Sequence, residues 1–185
     1  GITEERKLIL KKIAAYIKYK EEEPINLLFV CTHNSRRSIF GQVWAKVASH
    51  YFGLANVQTY SGGTEVTAFH ANAFEALVCT GFDVKVEGDN ENAIHFIIFD
   101  QLENAAICFS KLIDDTTNPS AQFGAIMTCN HADKNCPFVT GSELRVSLPY
   151  VDPKFSDNTD IQMETYLKTS KEIATEMLYL FSISI

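Results

Sequence analysis

The sequence predicts an α/β protein built on a doubly wound parallel sheet. Short apolar runs of strand length alternate along the chain with longer segments in which apolar residues recur at helical spacing. The run INLLFV (25–30) is apolar at all but one position, which is typical of a central strand covered on both faces. The other predicted strands are VQTY (57–60), which the turn SGG follows, FGAIMTC (123–129) and LRVSL (144–148).

The first predicted helix spans residues 3–20 and precedes the alternating pattern. Its apolar residues fall on one stripe, and Pro24 prevents the helix from continuing. We therefore expect residues 1–24 to form an N-terminal helical extension on a core of residues 25–183. The extension would cover one face of the core or mediate association. The stripe comprises Leu8, Ile9, Ile13, Ala14 and Ile17.

Three further helices are predicted inside the core. The segments 38–52 and 68–80 have helical spacing, and Gly53 and Gly81 follow them at positions where glycine suits the end of a helix. The last helix is expected from about residue 159 to about residue 183. Its expected buried residues are Ile161, Tyr166, Leu167, Ile173, Met177, Leu178 and Phe181.

Residues 85–120 interrupt the alternation of strands and helices. Two apolar runs, 92–100 and 105–110, are separated by a short polar connection, which predicts a hairpin-like insertion. Two roles are open for it: shaping the mouth of a substrate site, and making a dimer contact. We see no linker or repeat, and we expect residues 1–185 to form a single domain.

Composition and charge narrow the classes of function. The net charge of −7 argues against a nucleic-acid surface, and no apolar run approaches the length of a membrane span. The N-terminal sequence has no signal-peptide pattern, and five cysteines is an odd number, so we expect reduced thiols and a cytoplasmic protein. Cys79 and Cys108 lie in apolar runs, and we expect both to be buried and inert.

Three chemically reactive side chains follow the ends of predicted strands. Cys31 follows the first strand, Cys129 closes the third, and Asp152 comes soon after the fourth. In a parallel sheet the carboxyl ends of the strands lie at one edge, and ligands bind there. We therefore expect these three side chains to share one rim of the sheet.

The segment CTHNSRRS (31–38) has the pattern of an oxyanion-binding loop between a strand and a helix. Five residues separate Cys31 from Arg37, which lets the loop curl with its N–H groups pointing inward. The following helix adds positive charge at its N-terminus, a field that also stabilises a thiolate. We expect Cys31 and Arg37 to be catalytic. The predicted substrate-binding residues are Thr32, His33, Asn34, Ser35, Arg36, Arg37 and Ser38.

Each side chain of this loop has a chemical reason to be there. Arg37 can bind two oxygens of an anion in fork geometry. Ser38 can donate a hydrogen bond to the sulfur of Cys31, and Asn34 tolerates the left-handed conformation that a tight loop needs. The alternative is a polar turn that contains Cys and Arg by chance, which the strand before it and the helix after it disfavour.

This loop resembles the phosphate-binding loop of the low-molecular-weight protein tyrosine phosphatases and of the thioredoxin-coupled arsenate reductases that share their fold. YSGGT (60–64) is similar to the small-residue turn after the family's second strand, and VDP (151–153) to the Asp-Pro pair that carries its general acid. The resemblance covers roughly residues 25–183. It implies a four-stranded parallel sheet flanked by helices, with Cys31 as the nucleophile and Asp152 as the general acid. It implies no cofactor.

The sequence departs from the family pattern in the loop and again after the Asp-Pro pair. Many members have Gly at the position of His33 and Cys at that of Arg36. For His33 two effects are open, narrowing the mouth of the site and altering the reactivity of the thiol, whereas Arg36 removes a backup thiol and adds charge. The phosphatases usually follow Asp-Pro with aromatic residues that grip a phosphotyrosine ring, but here Lys154 precedes Phe155.

The segment TCNHADKNCPF (128–138) is similar to the arsenate reductases and holds Cys129 and Cys136. The resemblance implies a thiol relay from the nucleophile through both residues to a thioredoxin-like reductant. Bonded cysteines have Cα atoms about 5.5–6 Å apart, whereas seven helical steps span about 10.5 Å. The segment 129–136 is therefore expected to be a loop, or a helix that unwinds on oxidation, and to be mobile.

Two other interpretations of these thiols are open. One is coincidence, and the other is a metal site formed by Cys129, His131, Asp133 and Cys136. Structural zinc prefers paired short ligand spacings, which this segment lacks, and we therefore expect no metal. The remaining histidines are expected to be ordinary surface or hydrogen-bonded residues, namely His50, His70, His95 and His131.

The thiol trio favours a thiol-dependent arsenate reductase. The alternative is a low-molecular-weight protein tyrosine phosphatase that hydrolyses phosphomonoesters through a phosphocysteine intermediate and needs neither Cys129 nor Cys136. A third possibility, an anion-binding or redox-sensing module, is disfavoured because nucleophile and acid are both present. The expected substrates are a small oxyanion, arsenate or phosphate, or a phosphotyrosine. The expected partner is a thioredoxin-like reductant, with neither nucleic acid nor membrane involved.

Overall fold

The computed structural model describes residues 1–20, 23–101 and 104–185. The acidic segment 21–24 and the connection 101–104 of the sequence lie partly outside the described residues. In chain order the elements are α1 (Glu4–Lys20), β1 (Ile25–Cys31), α2 (Arg37–Tyr51), β2 (Val57–Gly63), α3 (Ala71–Cys79), β3 (Asp83–Glu87), β4 (Ile94–Ile98), β5 (Ala106–Cys108), β6 (Phe123–Met127), α4 (Asn130–Asn135), β7 (Ser142–Ser147), a short 3₁₀ helix (Pro153–Ser156) and α5 (Gln162–Ser182).

A four-stranded parallel sheet with the order β2-β1-β6-β7 forms the centre of the fold. The central strand β1 pairs with β2 through Ile25 and Val57, and with β6 through Val30 and Met127. The predicted α/β fold class is confirmed. None of the helices in the described part of the chain is long and apolar enough to cross a bilayer.

Alternate residues of β1 enter two separate apolar clusters. Leu27 and Phe29 belong to the larger cluster, which the side chains of α1, α2 and α5 fill. Leu28 and Val30 point to the other face, where the smaller cluster includes Ala132 of α4. This explains why β1 is an almost continuous apolar run, since both of its faces are buried.

The N-terminal helix α1 packs on α5 and β7. Ile13, Ala14 and Ile17 are buried as expected. The prediction for Leu8 is wrong, because its side chain is 61% exposed and Leu10 is fully buried instead. The contacts with α5 and β7 set the rotation of the helix, and they bury the stripe that contains Leu10.

The insertion forms a separate three-stranded antiparallel sheet with the order β3-β4-β5. The hairpin-like pair of β4 and β5 was predicted. Strand β3 was not, because most of its side chains are exposed and its sequence DVKVE has no apolar face of useful size.

Several local predictions are corrected by the structure. The SGG segment is not a turn but the end of β2, where a Cβ atom on Gly63 would lie 2.7 Å from the carbonyl oxygen of Thr32. Cys79 is exposed rather than buried, whereas Cys108 is buried. Ile161 and Leu178 were also expected to be buried, but they are 52% and 40% exposed.

Candidate active site

The loop after β1 surrounds the sulfur of Cys31. Asn34 has a φ of 46°, the left-handed conformation that turns the chain back toward the strand. The Oγ of Ser38 lies 3.1 Å from the Sγ of Cys31 and accepts a hydrogen bond of 2.8 Å from the side-chain amide of Asn34. Cys31 is buried, with 3% of its surface exposed.

Three carbonyl groups of the loop accept hydrogen bonds from the surrounding scaffold. The carbonyl of Thr32 accepts from the N–H of Glu65, that of His33 from the hydroxyl of Ser110, and that of Ser35 from the N–H of His70. In the described part of the chain, the backbone N–H groups of residues 33–36 donate to no other residue. These donors, together with the first turn of α2, form a nest suited to an oxyanion.

Arg37 and Asp152 form an ion pair at this rim. The Nη2 of Arg37 donates to the carboxylate of Asp152 at 2.5 Å, and its Nη1 donates to the carbonyl of Tyr150 at 3.1 Å. The Nε of Arg37 is buried without a hydrogen-bond partner among the described residues. An unsatisfied buried N–H group of this kind is suited to donate a hydrogen bond to an oxygen of a bound oxyanion.

The carboxylate of Asp152 is held from its other side by the backbone. Its Oδ1 accepts from the N–H of Lys154 at 3.1 Å, which caps the 3₁₀ helix. The side chain is 36% exposed, so it lies at the mouth of the site rather than inside the core.

The second predicted thiol lies next to the loop. Cys129 is 1% exposed and caps α4, where its sulfur accepts from the N–H of Ala132 at 3.3 Å. The hydroxyl of Thr32 is 3.5 Å from the same sulfur. Cys31 and Cys129 belong to the same apolar cluster, and Cys136 packs against it. All three thiols are free.

The segment between Cys129 and Cys136 is the six-residue helix α4, flanked by a cysteine at each end. Arg145 fastens this helix, because its guanidinium donates to the carbonyls of Asp133 and Cys136 and to the carboxylate of Asp133. The predicted segment is thus helical in the reduced protein. Its mobility remains a prediction.

No family model matches the chain. Arsenate reductase 2 of Staphylococcus epidermidis is 28% identical over 130 residues, covering 69% of this chain and 77% of the relative. A solved low molecular weight protein tyrosine phosphatase from Bacillus subtilis superposes with a TM-score of 0.59 at 17% identity, covering 86% of this chain and 96% of the phosphatase.

The chain has the low-molecular-weight phosphatase fold. A solved arsenate reductase in the phosphate-binding state shares it, with a TM-score of 0.54 at 16% identity over 85% of this chain and 97% of the reductase. The resemblance seen in the sequence is therefore confirmed.

The side chain of Arg36 was expected to bind substrate, but in this low-molecular-weight phosphatase fold it binds other residues of the protein. It is 9% exposed, and its guanidinium donates to the hydroxyl of Tyr166 at 2.7 Å and to Asp157 at 3.1 Å. The side chain therefore fastens the loop to α5, and the backbone N–H of Arg36 is the group that this residue can offer to an oxyanion.

The residues that hold Arg36 were not found from the sequence. Burial opposes ionisation of Asp157, but the hydrogen bond from Tyr166 and the charge of Arg36 hold its pKa below the ordinary value. Burial, followed by the charge of Arg36, lowers the pKa of His70, which stacks on Tyr166. No local pattern links these residues, because they come from distant segments.

Two histidines border the site of this low-molecular-weight phosphatase fold. His33 is half-exposed at the mouth, with its Nε2 3.2 Å from the carboxylate of Glu65. His131 is hydrogen-bonded, as expected, and its Nδ1 lies 3.2 Å from the hydroxyl of Thr32, beside Cys129. Within the described ranges, no group of three or more metal-binding side chains is arranged to hold an ion.

Proposed function

We propose that the protein is a thiol-dependent arsenate reductase. The carrying observation is the position of Cys129, which is buried in the same cluster as Cys31 and lies 3.5 Å from the hydroxyl of the adjacent Thr32. Hydrolysis of a phosphoester needs no thiol at this position. The curated relatives in Staphylococcus epidermidis are both named arsenate reductases, which supports the same reaction.

The first step is nucleophilic attack by Cys31 on arsenate. The N–H groups of the loop and the Nε of Arg37 hold the arsenate oxygens, and Ser38 stabilises the sulfur anion through its hydroxyl. The thiol proton of Cys31 passes to the carboxylate of Asp152, which gives it to the arsenate oxygen that leaves as water while the S–As bond forms. Its ion pair with Arg37 places it beside the anion, and the pair separates as the guanidinium turns to the oxyanion.

The second step transfers two electrons to arsenic. The thiolate of Cys129 attacks the sulfur of Cys31, so that the S–As bond breaks, its electron pair stays on arsenic, and arsenite leaves. The product on the protein is a disulfide between Cys31 and Cys129. Thr32 and His131 lie beside the attacking sulfur, where the imidazole can accept its proton through the threonine hydroxyl.

The third step moves the disulfide to the surface. Cys136, the resolving thiol, attacks Cys129 and releases the thiolate of Cys31 for another cycle. Because a helix keeps the two cysteines too far apart, α4 must unwind first. A thioredoxin-like dithiol of the cytoplasm then reduces the pair of Cys129 and Cys136.

The second candidate function is hydrolysis of phosphomonoesters, including phosphotyrosine, by the same loop. The ion pair of Arg37 and Asp152 favours it, since these two residues and Cys31 suffice for a phosphocysteine intermediate and its attack by water. Arsenate and phosphate have the same shape and charge pattern, so one site can accept both.

A substitution at Cys129 tests the reductase. Reduced Cys129→Ser protein mixed with arsenate and thioredoxin is expected to lose multiple turnover, while Cys31 still reacts once. Cys79→Ser is the matched control, because that thiol is exposed and should leave turnover unchanged. Normal turnover by Cys129→Ser would refute the relay.

A separate assay tests the phosphatase. The variant that carries both Cys129→Ser and Cys136→Ser is given an aryl phosphate, and released phenol is measured. Hydrolysis at the rate of the parent supports phosphomonoester hydrolysis as a function in addition to arsenate reduction. Hydrolysis at the level of a Cys31→Ser variant excludes it.

A further inference from the structure

A second cavity lies outside the proposed catalytic site. It has a volume of about 200 Å³ and is enclosed by the edge strand β2, helix α2 and the insertion around β5. Neither the proposed reduction nor the hydrolysis uses it. The lining residues that matter are Lys46, Thr59, Tyr60, Phe109 and Lys111.

Lys111 is the most unusual of these residues. Its side chain is 4% exposed, and its ammonium lies 4.3 Å from the centre of the Phe109 ring. No carboxylate in the described part of the chain is within ion-pair distance, and Asp115 acts only from farther away while it binds Thr117. Burial accordingly lowers the pKa of Lys111. A buried ammonium without an anionic partner is unfavourable, and the aromatic ring compensates only in part.

Two further groups add to the anion preference of the cavity. Lys46 on α2 is half-buried, and burial lowers its pKa as well. Thr59 is 8% exposed, and its Oγ1 is buried without a hydrogen-bond partner among the described residues. Among the described residues that line the cavity none is Asp or Glu, although the whole chain is acidic.

We propose that this cavity is a binding site for a small anion that carries a carboxylate or phosphate group. The anion would pair with Lys111 and Lys46 and give the hydroxyl of Thr59 an acceptor. The volume is below the roughly 300 Å³ at which sites for drug-sized ligands begin, so the ligand is a compact one.

The cavity is connected to the nucleophile by a short path. The backbone N–H of Lys111 donates to the side chain of Asn34 at 3.1 Å, and its carbonyl accepts from Gly63 at 2.8 Å. Asn34 in turn donates to Ser38, whose hydroxyl touches the sulfur of Cys31. An anion held by Lys111 therefore acts on the loop that holds the nucleophile, whichever reaction the loop performs.

Amide chemical shifts of the reduced full-length chain test the binding site. Acetate and inorganic phosphate are the two probes, and they distinguish the two classes of ligand. Because phosphate also enters the catalytic loop, the titrations are made in the parent and in Arg37→Ala. We expect at least one probe to give saturable shifts at Thr59, Tyr60 and Lys111 in both proteins.

A matched pair of lysine variants identifies the cation. Lys111→Met keeps the apolar stem and should weaken binding at least tenfold, whereas Lys85→Met should leave it unchanged. Lys85 is a suitable control, because it also lies near an aromatic ring of the insertion, that of Phe96, but is exposed. If Lys111→Met does not fold, Lys46→Met should show a several-fold loss. Absence of saturable shifts with both probes, or unchanged affinity in the folded lysine variant, overturns the proposal.

The connection to the loop is measured separately. The rate of alkylation of Cys31 by iodoacetamide is compared in the Arg37→Ala protein with and without the anion that binds. A change of at least twofold, absent in the lysine variant, supports the path through Asn34, and an equal rate refutes it. Neither measurement depends on arsenate turnover, so failure here is distinguishable from failure of the proposed function.

Discussion

Replacing Tyr166 with Phe should destabilise the protein and loosen the loop of residues 31–38. The hydroxyl of this fully buried residue accepts from Arg36 at 2.7 Å and donates to Asp157 at 2.6 Å. A hydrogen bond to a charged group contributes about 1.5–3 kcal/mol. Arg36 and Asp157 remain paired with each other, and Asn72 still donates to Asp157. We therefore expect a loss of about 2–3 kcal/mol, below the sum of the two bonds.

Thermal unfolding measures this loss directly. For a chain of this size, 1 kcal/mol shifts Tm by about 2–4 °C, so Tm should fall by about 4–12 °C. Tyr179→Phe is the matched control on the same helix, because the hydroxyl of Tyr179 makes no hydrogen bond to a described residue, and its effect should stay within about 0.5 kcal/mol. Turnover should fall several-fold in Tyr166→Phe alone.

The pH dependence of this difference provides a second check. The pKa of Asp157 is lowered in the folded protein, so its ionised form contributes stability that is fully present above its ordinary pKa of 3.8. That contribution is lost as the pH falls through the folded value. The gap in stability between the parent and Tyr166→Phe should therefore narrow below about pH 4. A gap under about 1 kcal/mol at neutral pH, or one that widens in acid, would refute the reasoning.

Three further predictions concern other parts of the fold. Gly63→Ala should lower turnover by at least tenfold and destabilise the chain by about 1–3 kcal/mol, because the new methyl group would meet backbone atoms of the loop after β1. Urea unfolding measures the loss of stability and an arsenate turnover assay measures the loss of rate, and values equal to those of the parent would contradict the prediction. Arg6→Ala should cost about 2–4 kcal/mol in thermal unfolding, because among the described residues it leaves the carboxylate of the 2% exposed Glu176 with the hydroxyl of Tyr150 alone. A shift in Tm under about 2 °C would exclude this. Arg145→Met should release α4 and raise the alkylation rate of Cys136 several-fold, which mass spectrometry can follow. An unchanged rate would show that Arg145 does not limit the unwinding of α4.

The parts of the fold that the sequence predicts are those in which a local pattern and burial agree. The strand β1 is buried on both faces, so its composition alone identifies it. The spacing from Cys31 to Arg37 is a local property, and it predicts the loop because a strand and a helix flank it. The positions of Cys31, Cys129 and Asp152 follow from the direction of parallel strands.

The missed features depend on contacts between distant segments. Arg36 lies 130 positions from the tyrosine that holds it, and nothing near either residue indicates the pair. Cys79 lies in an apolar run, but α3 buries only one face, which contains Ala76 and Leu77. Strand β3 exists because β4 offers it a partner, although its own side chains are largely solvent-facing.

The adjacency of β1 and β6 has an evolutionary consequence. A hydrolase of this architecture already ends β1 with its nucleophile, and the neighbouring strand delivers the next two residues to the same rim. Cysteines gained at positions 129 and 136, at the two ends of α4, would therefore add the proposed thiol relay at that rim. The change that this relay needs would then be confined to one short helix and its two ends, and the order of the four strands would stay the same.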